Sequence, residues 1–196
     1  MKQKKVLIFM GSPRAKGNSS ILAERAAEGA REVGAEVEVF RLAKMRIGPC
    51  LACEGCRKKG ADGCVQKDDM KPLYAKIRGA DALVIAGPVY WFSISAQVKL
   101  FMDRLYAFGA EGYRPLKGKR IGIILTYGDT DPFTSGAANA LRSFQDAFAY
   151  VGASIKGLVY GSADKAGEIR ANAGLMKEAY DLGRKLGGPA RSKEKS

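Results

Sequence analysis

Five short apolar runs, regularly interleaved with amphipathic stretches, constrain this chain more than any other feature. The runs are residues 6–10 (VLIFM), 36–40 (EVEVF), 82–86 (ALVIA), 121–125 (IGIIL) and 155–160 (IKGLVY). The first reads as a buried strand, and the second alternates with period two. Between the runs, Ile21, Leu22, Ala26, Ala30 and Val33 fall at helical spacing, and Asn18 or Ser19 is placed to cap that helix. Residues 71–78 suggest a short helix. Val98, Phe101, Met102 and Leu105 mark one further face, and Leu141, Phe144, Phe148 and Val151 another. Leu175, Ala179, Leu182 and Leu186 mark the closing helix, which stops at Gly187-Gly188-Pro189. Strands alternating with helices predict an α/β fold: a doubly wound, five-stranded parallel sheet covered on both faces. The chain shows no internal repeat and no dividing linker. One domain is therefore expected over 1–190, with a disordered basic tail at 191–196.

The charge narrows the partners. With 33 basic and 20 acidic residues the formal charge is +13, which favours anionic ligands such as nucleotides and acidic proteins. The basic residues are scattered over 2–5, 57–59, 114–120 and 191–195 rather than massed in one block. That distribution reads as a solvated surface, so nucleic-acid binding is not expected. No apolar run approaches the ~20 residues that span a bilayer, and the N-terminal run enters a Gly/Pro turn without a cleavage-type spacing. A cytoplasmic protein is expected. Histidine is absent. Ser-His-Asp and Cys-His catalysis and His-ligated metals are thereby excluded, which leaves chemistry to a cofactor, a carboxylate, Tyr, Lys or Cys.

In a doubly wound sheet, ligands bind beyond the carboxyl ends of the strands, where the strand order reverses. After the first strand comes GSPRAKGNSS, residues 11–20. Its small residues let the backbone wrap a phosphate, with hydroxyls from Ser12, Ser19 and Ser20, the charge of Arg14, and the N-terminus of the next helix. It is neither a Gly-x-Gly-x-x-Gly loop nor a Walker loop, and an ordinary capped turn is the competing reading. After the third strand, Pro88, Val89, Tyr90, Trp91, Phe92 and Ser93 form a stiff aromatic stretch that contains the only tryptophan. After the fourth, Thr126, Gly128 and Asp129 lie in a third loop at the same edge, where a plain turn is a close competitor.

Residues 87–104, GPVYWFSISAQVKLFMDR, resemble the flavin loop of the NADPH-dependent FMN reductase and iron–sulfur flavoprotein family, which is flavodoxin-like. The resemblance runs from the first strand through Arg104, about half the chain. It implies that the Ser-Pro-Arg…Gly-Asn-Ser loop, with Ser12, Arg14, Asn18, Ser19 and Ser20, holds the FMN phosphate. It also implies that the Pro88–Trp91 loop lies along the isoalloxazine, with Thr126, Gly128 and Asp129 near the ring edge or ribityl chain. A wall of apolar groups with outward N–H groups is what such a ring requires. Lys99, Asp103 and Arg104 are expected to form structural ion pairs or to close a subunit contact.

Cys50, Cys53, Cys56 and Cys64 fall in one segment with the spacing C-x2-C-x2-C-x7-C. Three thiolates at two-residue gaps can reach three corners of one cluster while the fourth returns from a Gly-rich stretch, and bacterial ferredoxins start the same way. A four-Cys zinc site, free thiols and disulfides remain alternatives. With the following Asp68-Asp69-Met70, the segment is similar to that of iron–sulfur flavoproteins, and the resemblance implies a [4Fe–4S] cluster beside FMN. Two functions follow: a two-cofactor electron carrier, or an NAD(P)H-dependent FMN or quinone reductase without a cluster. A zinc-stabilised binding module is the non-enzymatic alternative. The resemblance further implies a homodimer or homotetramer whose partner is a redox protein or a small-molecule electron acceptor.

Overall fold

The computed structural model describes residues 3–58, 61 and 63–189. The expected tail at 191–196, Lys2 and Lys59 of the basic stretches, and Gly60 lie outside the described residues. The strands are β1 (Lys5–Met10), β2 (Glu36–Arg41), β3 (Ala82–Tyr90), β4 (Ser93–Ile94), β5 (Arg120–Tyr127) and β6 (Ser154–Ser162). The helices are α1 (Asn18–Glu32), α2 (Met70–Gly79), α3 (Ala96–Arg104), α4 (Ala137–Tyr150) and α5 (Ala173–Gly187).

The sheet order is β2-β1-β3-β5-β6, all parallel, and β4 pairs antiparallel with the end of β3. With β4 set aside this is the 2-1-3-4-5 order of the flavodoxin-like fold, as expected from the sequence. Alternate residues of β1 serve the two faces. Leu7 and Phe9 join a core with α2, α3 and α4, while Val6, Ile8 and Met10 join the core under α1 and α5. Both faces are dry, which is why β1 reads as an unbroken apolar run. Edge strand β2 is less covered: Glu36 and Val39 are exposed and its other residues half-buried. No helix among the described residues is long and apolar enough to cross a membrane.

Two local expectations are corrected. The N-cap of α1 is Gly17, with no side-chain cap, so neither Asn18 nor Ser19 caps the helix. Residues 87–90 are not loop but the continuation of β3, which turns back tightly into β4. The strand order reverses between β1 and β3, where the Gly11 N–H donates to the Ala86 carbonyl at 2.7 Å. The loops leaving that point carry the site.

Candidate flavin and cysteine sites

A cavity of about 190 Å³ opens at this reversal. Ser12, Arg14, Gly17, Asn18 and Ser19 line it from the first loop, Pro88, Val89 and Tyr90 from β3, and Thr126, Tyr127 and Gly128 from β5. The first turn of α1 points into it without a side-chain cap, leaving its leading N–H groups open to an anion. The loop is drawn tight by the Gly17 N–H bond to the Arg14 carbonyl at 3.0 Å and the Arg14 N–H bond to Ser12 Oγ at 3.2 Å. A methyl group on Gly17 would collide with Ser12 Oγ and sit 3.1 Å from the Arg14 carbonyl. A side chain there would turn Ser12 away and break its bond to the Arg14 N–H.

The remaining wall comes from a loop that sequence reasoning missed, residues 163–169 after β6. Ala163, Asp164 and Ala166 line the cavity. Asn18 explains how this loop is held. Its amide donates to the Ala163 and Lys165 carbonyls at 3.0 Å each, and its Oδ1 accepts from Gly167 N–H at 2.9 Å and from Ile169 N–H at 3.4 Å. Asn18 is thus spent on a staple across the sheet edge, and its side chain has no hydrogen bond left for a phosphate. The available signal was topological: β6 is another strand whose carboxyl end opens on the same edge.

Other expected residues lie around the cavity rather than in it. Ser20 is buried beside it, and its Oγ has no partner. Asp129 closes its own turn by accepting from Thr130 N–H at 2.7 Å. The carboxylate across the cavity from Gly128 is Asp164: a Cβ on Gly128 would lie 3.3 Å from Asp164 Oδ1. Burial, then the neighbours Tyr160 and Asp131, push the Tyr127 phenol up, so it is a neutral hydroxyl at neutral pH.

The β3–β4 connection is a two-residue hairpin with Val89 opposite Ile94 and Tyr90 opposite Ser93. Its turn residues, Trp91 and Phe92, have φ of 50° and 62°. Left-handed values at both central positions define the turn that normally demands Asn-Gly, because side chains with a Cβ are strained there. Here the two residues are aromatic, and Trp91 is 92% exposed and Phe92 59%. Phe133, in the loop after β5, is also exposed. An outlier of this kind, with apolar rings held in water, points to a functional surface.

The cysteine segment lies between β2 and α2. Its two ends are zipped together. Asp69 accepts from Arg46 N–H at 2.7 Å, Asp68 accepts from Gly48 N–H at 3.0 Å, and Gln66 donates to the Pro49 carbonyl at 3.1 Å. Cys50 and Cys53 are exposed, Cys56 is buried and Cys64 half-buried. Burial raises the Cys56 thiol, and the proximity of Cys64, Glu54 and Cys50 adds to this. Ala52 and Glu54, each between two cysteines, adopt left-handed φ of 49° and 54°. No three side chains of Cys, Asp or Glu among the described residues gather around one point suited to a single metal ion.

The comparisons bear on both sites. The family model for NADPH-dependent FMN reductase matches residues 4–168. The chain belongs to the NADPH-dependent FMN reductase family. Within its reach, an iron–sulfur flavoprotein of Archaeoglobus fulgidus is 39% identical over 124 residues, covering 63% of this chain and 54% of that protein. The match thus spans about half that relative's length. An iron–sulfur flavoprotein of Methanocaldococcus jannaschii is 36% identical over 144 residues, covering 74% of this chain and 70% of the other. Among solved structures, an NAD(P)H:quinone oxidoreductase from Methanothermobacter marburgensis superposes with a TM-score of 0.74 at 22% identity. It covers 97% of this chain and all of that one, and shows the shared fold.

The residues present fit what this FMN reductase family implies. The glycine-dependent concavity, the uncapped helix start and Arg14 suit a phosphate. The cysteine segment supplies four soft donors on a backbone turned by left-handed Ala52 and Glu54, but among the described residues these donors do not gather around one point. A tetrahedral zinc site would hold its sulfurs about 3.8 Å apart, from Zn–S bonds near ~2.3 Å. Among the described residues the cysteines form no preassembled metal site, for zinc or for a cluster.

Proposed function

We propose that this chain is a flavin-dependent oxidoreductase that holds FMN at the β1/β3 reversal and carries a [4Fe–4S] cluster on its cysteine segment. The observation that carries the flavin reading is the cavity itself: an uncapped helix start, Arg14 and a tightly packed Gly17, facing Pro88–Tyr90. Bound FMN would supply the hydride and electron chemistry, for which side chains alone are poorly suited. Ser12, Arg14 and the leading N–H groups of α1 would bind the phosphate, and Asn18 would act by fixing the 163–169 loop. Asp164 and Thr126 would accept or share hydrogen bonds with ribityl hydroxyls, and Ser19 borders the same space. A cavity of about 190 Å³ is small beside the ~300–1,000 Å³ of typical ligand pockets. The ring would therefore continue outward along Tyr90, Trp91, Phe92 and Ser93, where the hairpin excludes water from one side.

Cys50, Cys53, Cys56 and Cys64 would ligate the cluster. The donor would be NAD(P)H, as the family description suggests, or a reduced partner protein. The acceptor would be a redox protein or a flat small molecule reaching the open face of the ring. Trp91, Phe92 and Phe133 would be covered in a homodimer or homotetramer, completing the ring site, in a cytoplasmic protein. A second reading, an FMN or quinone reductase without a cluster, is favoured by the exposure of Cys50 and Cys53.

An ultraviolet–visible spectrum of protein purified without oxygen decides among these. Flavin bands with a broad blue shoulder that bleaches on reduction are expected. Flavin bands alone would leave the cluster-free reductase, and a colourless protein that takes up no FMN would sink the flavin assignment.

A further inference from the structure

Among the described residues, the largest fully buried side chain is a charged one, Arg104, at the last position of α3 and only 1% exposed. Burying a guanidinium is costly unless every charge-bearing contact is met. Its contacts all lie in the cysteine segment. Nη1 donates to the Gly48 carbonyl at 3.0 Å and to Asp68 Oδ2 at 2.5 Å, and Nη2 donates to Asp68 Oδ1 at 3.1 Å and to Cys64 Sγ at 3.4 Å. Nε is buried without a partner. The backbone of Arg104 is fixed in turn, because the Tyr74 hydroxyl from α2 donates to its carbonyl at 2.9 Å.

All of the acceptors lie at the two ends of one segment. A carboxylate takes only two of the five guanidinium N–H donors, and here the acceptors beyond Asp68 are Gly48, two residues before the first cysteine, and the fourth cysteine itself. The same Asp68 that accepts both fork arms accepts the Gly48 and Met70 N–H groups. One planar group therefore closes the segment at its base. The other end of α3 packs at the flavin edge, since a methyl group on Gly11 would collide with Val98 and come 3.1 Å from Ser95 Oγ. A nine-residue helix thus spans from the phosphate loop to the cysteine base.

We propose that Arg104 is a positioning residue for the cysteine segment: its fork bridges Gly48, Cys64 and Asp68 and sets the first and fourth cysteines in register before any cluster is assembled. This rests on the cluster reading for its use, but not for its geometry. A lysine in its place keeps the charge and loses the fork.

The test compares wild type with Arg104→Lys, Arg104→Met and Asp68→Asn. Amide hydrogen exchange on cluster-free protein is followed by Fe²⁺ and sulfide reconstitution without oxygen. Exchange over 48–58 and 63–69 is expected to speed up about tenfold or more in all three variants, with the β-sheet amides unchanged. Retained iron and sulfide should fall to about half or less while FMN affinity stays within about twofold, the scale of an outer-shell loss at a metal site. Should Arg104→Met fail to fold, Arg104→Lys and Asp68→Asn carry the test. Unchanged local exchange and full iron in those two would overturn the proposal, leaving a plain ion pair. Faster local exchange in variants of a wild type that itself takes up no iron would uphold the positioning role and sink the cluster reading instead.

Discussion

Gly136 lies directly beneath the backbone of Phe92: a Cβ built on it would collide with the Phe92 Cα and lie 2.6 Å from the Phe92 Cβ. The N-cap of α4 thus props the turn of the β3–β4 hairpin, and Asn139 Nδ2 adds a 3.4 Å hydrogen bond to the Phe92 carbonyl. Gly136 also holds a φ of 75°, so an alanine there is strained as well as obstructed. Gly136→Ala should cost more than about 1 kcal/mol in urea unfolding. It should also displace the hairpin, seen as weaker FMN retention. Full stability with unaltered FMN binding would show that the contact is not needed.

The hairpin turn itself makes an opposite prediction. Two left-handed residues with aromatic side chains cost about 1–3 kcal/mol each, and the exposed rings contribute no core packing to offset this. Replacing them with the pair the turn prefers, Trp91→Asn with Phe92→Gly, should stabilise the cofactor-free protein by about 1–3 kcal/mol. Electron-acceptor turnover should fall in the same variant. A double variant that is both less stable and fully active would remove the case for a functional strain.

At the phosphate end, Arg14→Ala should weaken FMN by about 10- to 100-fold, the worth of a charge-assisted hydrogen bond of ~1.5–3 kcal/mol. Riboflavin, which lacks the phosphate, should bind the variant and wild type alike. Equal losses for the two ligands in a fluorescence titration would move the phosphate elsewhere.

Asp81 gives a pH dependence. Burial raises its carboxyl, but the Lys4 ammonium at 2.8 Å, the Lys5 N–H at 2.9 Å and the charge of Arg120 outweigh this, and the net direction is down. A carboxyl lowered on folding stabilises above its unfolded value and loses that contribution as pH falls through its folded one. Both partners are about a third exposed, so solvent screening reduces the effect. Asp81→Asn should cost about 1 kcal/mol at neutral pH, with the gap to wild type closing below about pH 4. A gap that persists undiminished at pH 3 would show that the carboxylate charge is not the source.

The alternation of apolar runs with amphipathic stretches was enough to order five parallel strands and their helices, because burial on one or two faces leaves a local period that any window of the chain displays. The 11–20 loop and the cysteine spacing were legible for the same reason: both are contiguous. The Trp91-Phe92 hairpin was not, since turns of that type announce themselves through Asn-Gly and this one is held by contacts with Gly136 and Asn139 from far along the chain. Asn18 reads as a helix cap in sequence, yet folding brings a loop some 145 residues later within its reach, and its four hydrogen-bonding positions are consumed there. Arg104 reads as the end of an amphipathic helix. Only the packing of α3 against the base of the cysteine segment makes it a buried fork across Gly48, Cys64 and Asp68. Periodicity and spacing are properties of neighbours in sequence. The choice of a hydrogen-bond partner belongs to neighbours in space, and that choice was made by the tertiary structure.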